Sequence, residues 1–404
     1  MSPRLRYPGV YVEEIASGVR AMAGVPTSIT LFIGMARQGE LNHPTHIDGF
    51  GEFERTFGGD IFYGEMALQV KQFFLNGGAR AVIVRIEGND GGTPELTDYE
   101  SAFGSVASDV ESFNLLVLPR GFEQTDDQRQ QLWGTASVFC QHQRAFLIVD
   151  PRSDWQTAAD AAAGVAAMRT GAVTDHAGIY WPRIMVASSM LPIDPAGSVA
   201  GIMSRTDAQR GVWKPPAGRE ASILGVTGLE HMISRAGNGV TNPQGINALR
   251  QLPGGVVVWG ARTMAGFEHS GESDYKYIPV RRAALFIEES LTRGLGFGLI
   301  EQNEEALWAQ IRSVAGAFMQ KLFRQGAFLG DKASDAWFVR CDSSTTTQSD
   351  IDRGRVNLMV GFAPMRPAEF VVLKVQQSLS SQPTPTSAPT PTRKRVPPSG
   401  LRRR

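Results

Sequence analysis

Short apolar runs recur along the first half of the chain, at residues 29–34, 81–84, 115–118 and 145–149. Each is four to six residues long and apolar at successive positions, which suits strands covered on both faces. Between them the spacing changes to that of helices. Met66, Val70, Phe73 and Phe74 share one face of a helix predicted over 65–75, and further helices are predicted over 126–142 and 154–169. For the last of these, Ser153 and Gln156 stand at capping-box spacing and Gly171 offers a stop. Strands alternating with helices predict an α/β core domain with a largely parallel sheet.

The second half changes character. Val256, Val257, Val258 and Trp259, bounded by Pro253, Gly254 and Gly255, read as a central strand. Residues 275–280 read as a short strand, after which Arg281 and Arg282 open a helix whose Leu285, Phe286 and Leu291 reach a core. Leu307, Ile311, Val314, Phe318 and Leu322 mark an amphipathic helix, with Asn303 as its N-cap and its end near Gly326. Strands follow at 336–339, 355–363 and 370–375, giving a smaller α+β domain.

At the front, residues 5–15 alternate weakly around Pro8 and Gly9, and residues 16–26 are rich in small side chains. A strand at the end of such a linker has unpaired backbone groups and needs a partner sheet. Residues 382–404 are rich in proline and free of aromatic residues, which predicts an extended, solvated tail. The expected division is an arm (1–26), an α/β core (27–264), a C-terminal domain with a closing strand (265–377) and a basic, Pro-rich tail (378–404).

Several stretches, in order, resemble one family. NPQGINALR (242–250), VWGART (258–263), KYIPVRR (276–282) and FIEES (286–290) are similar to a continuous passage of the contractile tail sheath proteins of phages, bacteriocins and related injection particles. PAGSVAGIMSRTDAQRGVWKPPAG (195–218), APMRPAEFVVLKVQQ (363–377), RYPGVYVEE (6–14) and TSITLFIG (27–34) are similar to other parts of the same family, so the likeness runs from near the first residue to about Gln377. The resemblance implies a structural subunit that polymerises as stacked hexameric discs around an inner tube and contracts when a baseplate triggers it. It implies as partners further copies of itself, the tube protein, and baseplate and terminal cap proteins. Terminal strands exchanged between subunits are part of that picture, and here they fall on Val10, Tyr11 and Val12 and on Phe370, Val371, Val372 and Leu373. For the contact with the tube, Arg281, Arg282, Lys321 and Arg324 are candidates; the alternative is that they are solvated helix faces.

Composition changes this picture little. The 40 basic side chains balance the 40 acidic ones, but six of the basic ones and no acid lie in 378–404, leaving 34 against 40 in the body and no case for nucleic acid. Cys140 and Cys341 stand alone in unlike contexts, which fits a reducing compartment. Without an apolar leader or a run of ~18 apolar residues, cytoplasmic synthesis and assembly without membrane insertion are expected.

Candidate chemistry is sparse. His43 and His46 form an H-x-x-H interrupted by Pro44, better read as a loop than as the start of a metal site. Gly294, Gly296 and Gly298 lack dinucleotide-binding spacing, and neither a P-loop nor a G-x-S-x-G elbow occurs. No catalytic residue, metal or cofactor is expected. The reading from a different class is an α/β hydrolase or dehydrogenase without a recognisable catalytic motif, and fold likeness alone would carry no such activity.

Overall fold

The computed structural model describes residues 22–59, 64–88, 92–121, 123–268, 273–296 and 303–365, together with the backbone of 371–378. The arm strand with Val10, Tyr11 and Val12, the residue Phe370 and the basic tail lie outside the described residues.

The core begins with β1 (Thr30–Met35), β2 (Thr45–Ile47), α1 (Phe50–Phe57), α2 (Met66–Leu75) and β3 (Ala81–Ile86). It continues through α3 (Leu96–Asp109), β4 (Leu115–Val117), α4 (Asp126–His142), β5 (Phe146–Val149), α5 (Ala158–Met168) and β6 (Ala177–Trp181). After β7 (Ile184–Val186), α6 (Ala196–Arg210), β8 (Val226–Leu229) and α7 (Arg235–Thr241), it closes with β9 (Ile246–Leu252) and β10 (Gly255–Val258). Eight strands form one sheet in the order β10-β9-β6-β5-β4-β1-β3-β2. The inner strands are parallel, and the edge strands β2 and β10 are antiparallel to their neighbours. β7 and β8 pair separately.

β1, β3, β4 and β5 are largely apolar at successive positions because each face has its own core. Phe32, Ile83, Leu115 and Phe146 point to a cluster with α1, α2 and α6. Their neighbours Leu31, Val82, Leu116 and Leu147 point to a second cluster with α3, α4 and α5. The two-residue period of a strand sorts one run into two cores. Gly197 and Gly201, one turn apart on α6, let it lie directly on α2: a Cβ at either would collide with the Gln69 or Phe73 carbonyl oxygen.

The 256–259 run is an edge strand and not a central one. Pro253 and Gly254 turn the chain straight back antiparallel onto β9, and the outer side of β10 is covered by residues 218–223. Ile223 N–H donates to the Val256 carbonyl at 2.8 Å, and Val258 N–H to the Ala221 carbonyl at 3.0 Å. The helix predicted over 154–169 starts later, because Thr157 and not Ser153 caps it, in a reciprocal box with Asp160. Ser153 is bonded to Asp126 instead.

Beyond residue 265 come α8 (Ile278–Gly294), α9 (Glu305–Arg324), α10 (Ala333–Ala336), β11 (Trp337–Arg340), α11 (Gln348–Asp352), β12 (Arg355–Phe362) and β13 (Val371–Ser378). A third cluster joins α8 and α9 to β11 and β12. The strand predicted at 275–280 does not form: Tyr277 makes one isolated bridge to Arg262, and the helix begins at Ile278. Pro279 sits in the first turn of that helix, where its missing N–H costs nothing. Glu304, not Asn303, precedes α9 as N-cap. Asn303 accepts from Trp308 Nε1 at 2.8 Å and donates to the Arg355 carbonyl at 2.9 Å, tying the helix to β12.

Candidate functional site

In an open α/β sheet, ligands bind in the crevice outside the carboxyl ends of the parallel strands. Here that crevice is filled. The chain leaving β4 supplies Arg120, that leaving β5 supplies Asp150 and that leaving β6 supplies Arg183, while Glu65 and Asp194 stand just before α2 and α6. Arg183 reaches Glu65 at 2.8 Å and Asp194 at 2.9 Å, and Arg120 reaches Asp194 at 3.0 Å and Asp126 at 2.8 Å. Arg129 of α4, its guanidinium 5.0 Å from the Trp133 ring, bridges Asp150 at 3.0 Å and Asp194 at 3.5 Å.

Asp150 also accepts from Ala196 N–H at 3.0 Å, and Glu65 from Asp194 N–H at 2.7 Å. Both carboxylates therefore satisfy amides at the start of α6, where a negative charge is favoured. Burial alone would raise the pKa of Asp194, but Arg120, Arg183 and Arg129 outweigh it and hold the group at about 2. Burial, reinforced by the Asp194 charge, pushes Glu65 up and Asp150 well above the usual carboxylate range. The network binds seven side chains to one another and fastens helices to strands. A buried array of this kind sets geometry more than it adds stability.

Of the cations considered for the tube, Arg281 and Arg282 are turned inward. Arg282 is 3% exposed, holds Asp207 of α6 at 2.6 Å and donates to the Thr27 carbonyl at 2.9 Å. Burial raises the Asp207 pKa, and Arg282 opposes that rise. Arg281 stacks on Tyr275, with its guanidinium 4.3 Å from the ring, and lies against His176 and 3.7 Å from Asp175. A basic pair at a helix start looks like surface in the sequence; two acids distant in sequence, Asp175 and Asp207, draw it inside. Lys321 and Arg324 are exposed in the last turn of α9, where cations complement the helix dipole.

The closing strand lies where the small sheet is open. β13 pairs antiparallel with β12, placing Val371 opposite Phe362, Val372 opposite Gly361 and Leu373 opposite Val360. The sheet order is β11-β12-β13, and among the described residues no strand pairs the outer side of β13. On the front side, the described end of the linker docks onto α8: Val25 N–H donates to Ser290 Oγ at 3.1 Å, and Gly24 lies against Phe286.

Among the described residues no group of three His, Cys, Asp or Glu side chains is placed to hold a metal ion, and no helix is long and apolar enough to cross a membrane.

The network escaped sequence reasoning because its members are spread over residues 65–194. The one local signal was an acid before a helix, as at Asp194.

Comparison with known proteins agrees with the motifs. Residues 92–264 match the model of the phage tail sheath protein central domain. The tail sheath protein of Enterobacteria phage T4 is 26% identical over 183 residues, which cover 44% of this chain and 26% of the T4 protein. The chain thus spans about a quarter of that relative's length. Two cryo-EM structures of the anti-feeding prophage cover nearly the whole chain. One, of the six-fold symmetrised baseplate, has 28% identity and a TM-score of 0.72 over 93% of this chain and 99% of the other. The other, of the helical sheath in the contracted state, has 27% identity and a TM-score of 0.71 over 93% and 100%. The matched family is structural and not enzymatic. With its doubly covered sheet, its small C-terminal sheet and its ordered sheath motifs, this chain resembles the contractile tail sheath proteins in fold and sequence, and its residues 92–264 match their central domain.

Proposed function

We propose that the protein is the repeating subunit of a contractile sheath. In this reading it is made and assembled in the cytoplasm, stacks as hexameric discs around an inner tube between a baseplate and a terminal cap, and contracts to drive the tube through a target envelope. The observation that carries the reading is the likeness, over almost the full length of both chains, to a sheath in its contracted helical state. The outer side of β13, which no strand pairs among the described residues, supports it, because an edge strand with unpaired backbone groups is a template for a strand from another copy. The segment with Val10, Tyr11 and Val12 is the proposed donor, and residues 370–373 belong to the proposed acceptor.

Subunits joined by exchanged strands stay tethered while their compact bodies rotate and slide, so contraction needs no dissociation. Work comes from added burial between bodies in the contracted state, with no nucleotide consumed at firing. Lys321 and Arg324 are the cations left for a reversible, salt-sensitive grip on the tube.

Negative-stain microscopy of the purified chain tests the proposal, with helical tubes as the expected result and discrete particles as the contrary one. Removing residues 1–15, or introducing Val372→Pro to delete a backbone donor, should leave a folded body that forms no tubes. Tubes from either variant would refute strand exchange.

A further inference from the structure

At the carboxyl end of β6 the chain passes Pro182 into β7, then turns at residues 187–192 and returns at Ile193. The turn is held by hydrogen bonds. Ile184 and Ile193 exchange backbone bonds of 2.9 Å in each direction, and Ser189 N–H donates to the Val186 carbonyl at 3.1 Å. The Ser189 hydroxyl donates to the Leu191 carbonyl at 2.7 Å and accepts from Leu191 N–H at 3.2 Å. On this fixed turn Met190 is 96% exposed and Leu191 73%, and residues 187–192 carry no charge. Two adjacent large apolar side chains presented to water by an ordered turn mark a contact surface.

A cleft of about 700 Å³ opens toward the other end of the sheet. β10 runs antiparallel to β9, so the chain leaving Val258 heads toward the amino ends of the parallel strands, where Ile278 packs at Gly178. The walls of the cleft include Trp213, Trp259, Tyr277 and Met365, and Lys214, Arg262 and Arg210, the last paired with Glu220 at 3.1 Å, line it with no carboxylate among its described lining residues. Such a site disfavours the basic tail as occupant.

An uncharged apolar turn meets no like charge there, and a thioether is well received by aromatic walls. We propose that the Met190–Leu191 turn of one copy seats in this cleft of the next copy along the assembly. The two surfaces lie toward opposite ends of one molecule, so the contact joins unlike patches of successive copies. A head-to-tail contact of that type closes into a ring or continues as an open helix. The inference rests on the sheath reading and adds to it a specific contact between bodies.

Leu191→Cys and Met365→Cys are made in separate chains, mixed, allowed to assemble and mildly oxidised. Cys140 and Cys341 are buried and do not compete. The expected result is a disulfide-linked dimer that requires both variants. Tubes that assemble without the dimer overturn this contact and leave the sheath reading standing, whereas discrete particles from the unaltered chain overturn both. In a second arm, Met190→Ser with Leu191→Ser should leave the circular dichroism spectrum unchanged and raise the critical concentration for tube formation at least tenfold. An unchanged critical concentration overturns the proposal.

Discussion

The eight-stranded sheet and the three-stranded sheet of this protein are finished to different degrees. In the large sheet both faces are covered by helices, one edge is sealed by residues 218–223, and the carboxyl-end crevice is closed by paired charges. In the small sheet, among the described residues, β13 is bonded on one side only. A body whose carboxyl-end charges are paired internally can move as a unit, while a strand with a free backbone side can accept a further strand. The proposed division of labour between rigid body and connector follows from this difference in pairing.

The contrast can be broken most severely at the network. Asp194→Ala removes the carboxylate that Arg120, Arg129 and Arg183 share and leaves each with one acidic partner fewer, a loss of about 3 kcal/mol. Urea unfolding followed by tryptophan fluorescence measures it; a loss below about 1 kcal/mol would mean the network is solvated. Asp207→Ala, which strands Arg282 between α6 and α8, should cost about 3 kcal/mol and loosen the C-terminal helices from the core. Limited proteolysis near Thr27 reads that loosening.

Acid titration sharpens the picture. Asp194 is held at about 2, below its ordinary 3.8, so its contribution is present above 3.8 and is lost as pH falls toward 2. Its size is on the order of 2 kcal/mol. Glu65 and Asp150 are raised, so their terms run oppositely: full below their ordinary values and lost as pH rises through the folded ones. The stability gap between the parent and Asp194→Asn should therefore narrow from pH 5 to pH 2, and a constant gap would remove Asp194 from the account. The smallest expected effect is at Thr157, whose replacement by Ala should cost about 1 kcal/mol through the lost capping box and leave tube formation intact.

Much of the core could be read from the sequence because local patterns determine it. The run at 81–84, apolar at every position, predicts a doubly covered strand, and the helix predicted over 126–142 matches α4. What failed depended on distant partners. The apolar run of Val256, Val257 and Val258 cannot show that residues 218–223 seal its outer side, and Arg282 cannot show that Asp207 waits 75 residues earlier. Ser153 looks like a cap in the sequence, but Asp126 claims it. The open edge was legible as a strand at 370–375 but not by its pairing, since pairing is a property of the sheet.

The most direct test of the central claim is hydrogen exchange on β13 and β5, compared between free subunits and assembled tubes. The account predicts that outward-facing amides of residues 371–378 become protected on assembly while the amides of β5 keep their protection unchanged. Tubes in which β13 exchanges as fast as in the free subunit would contradict it.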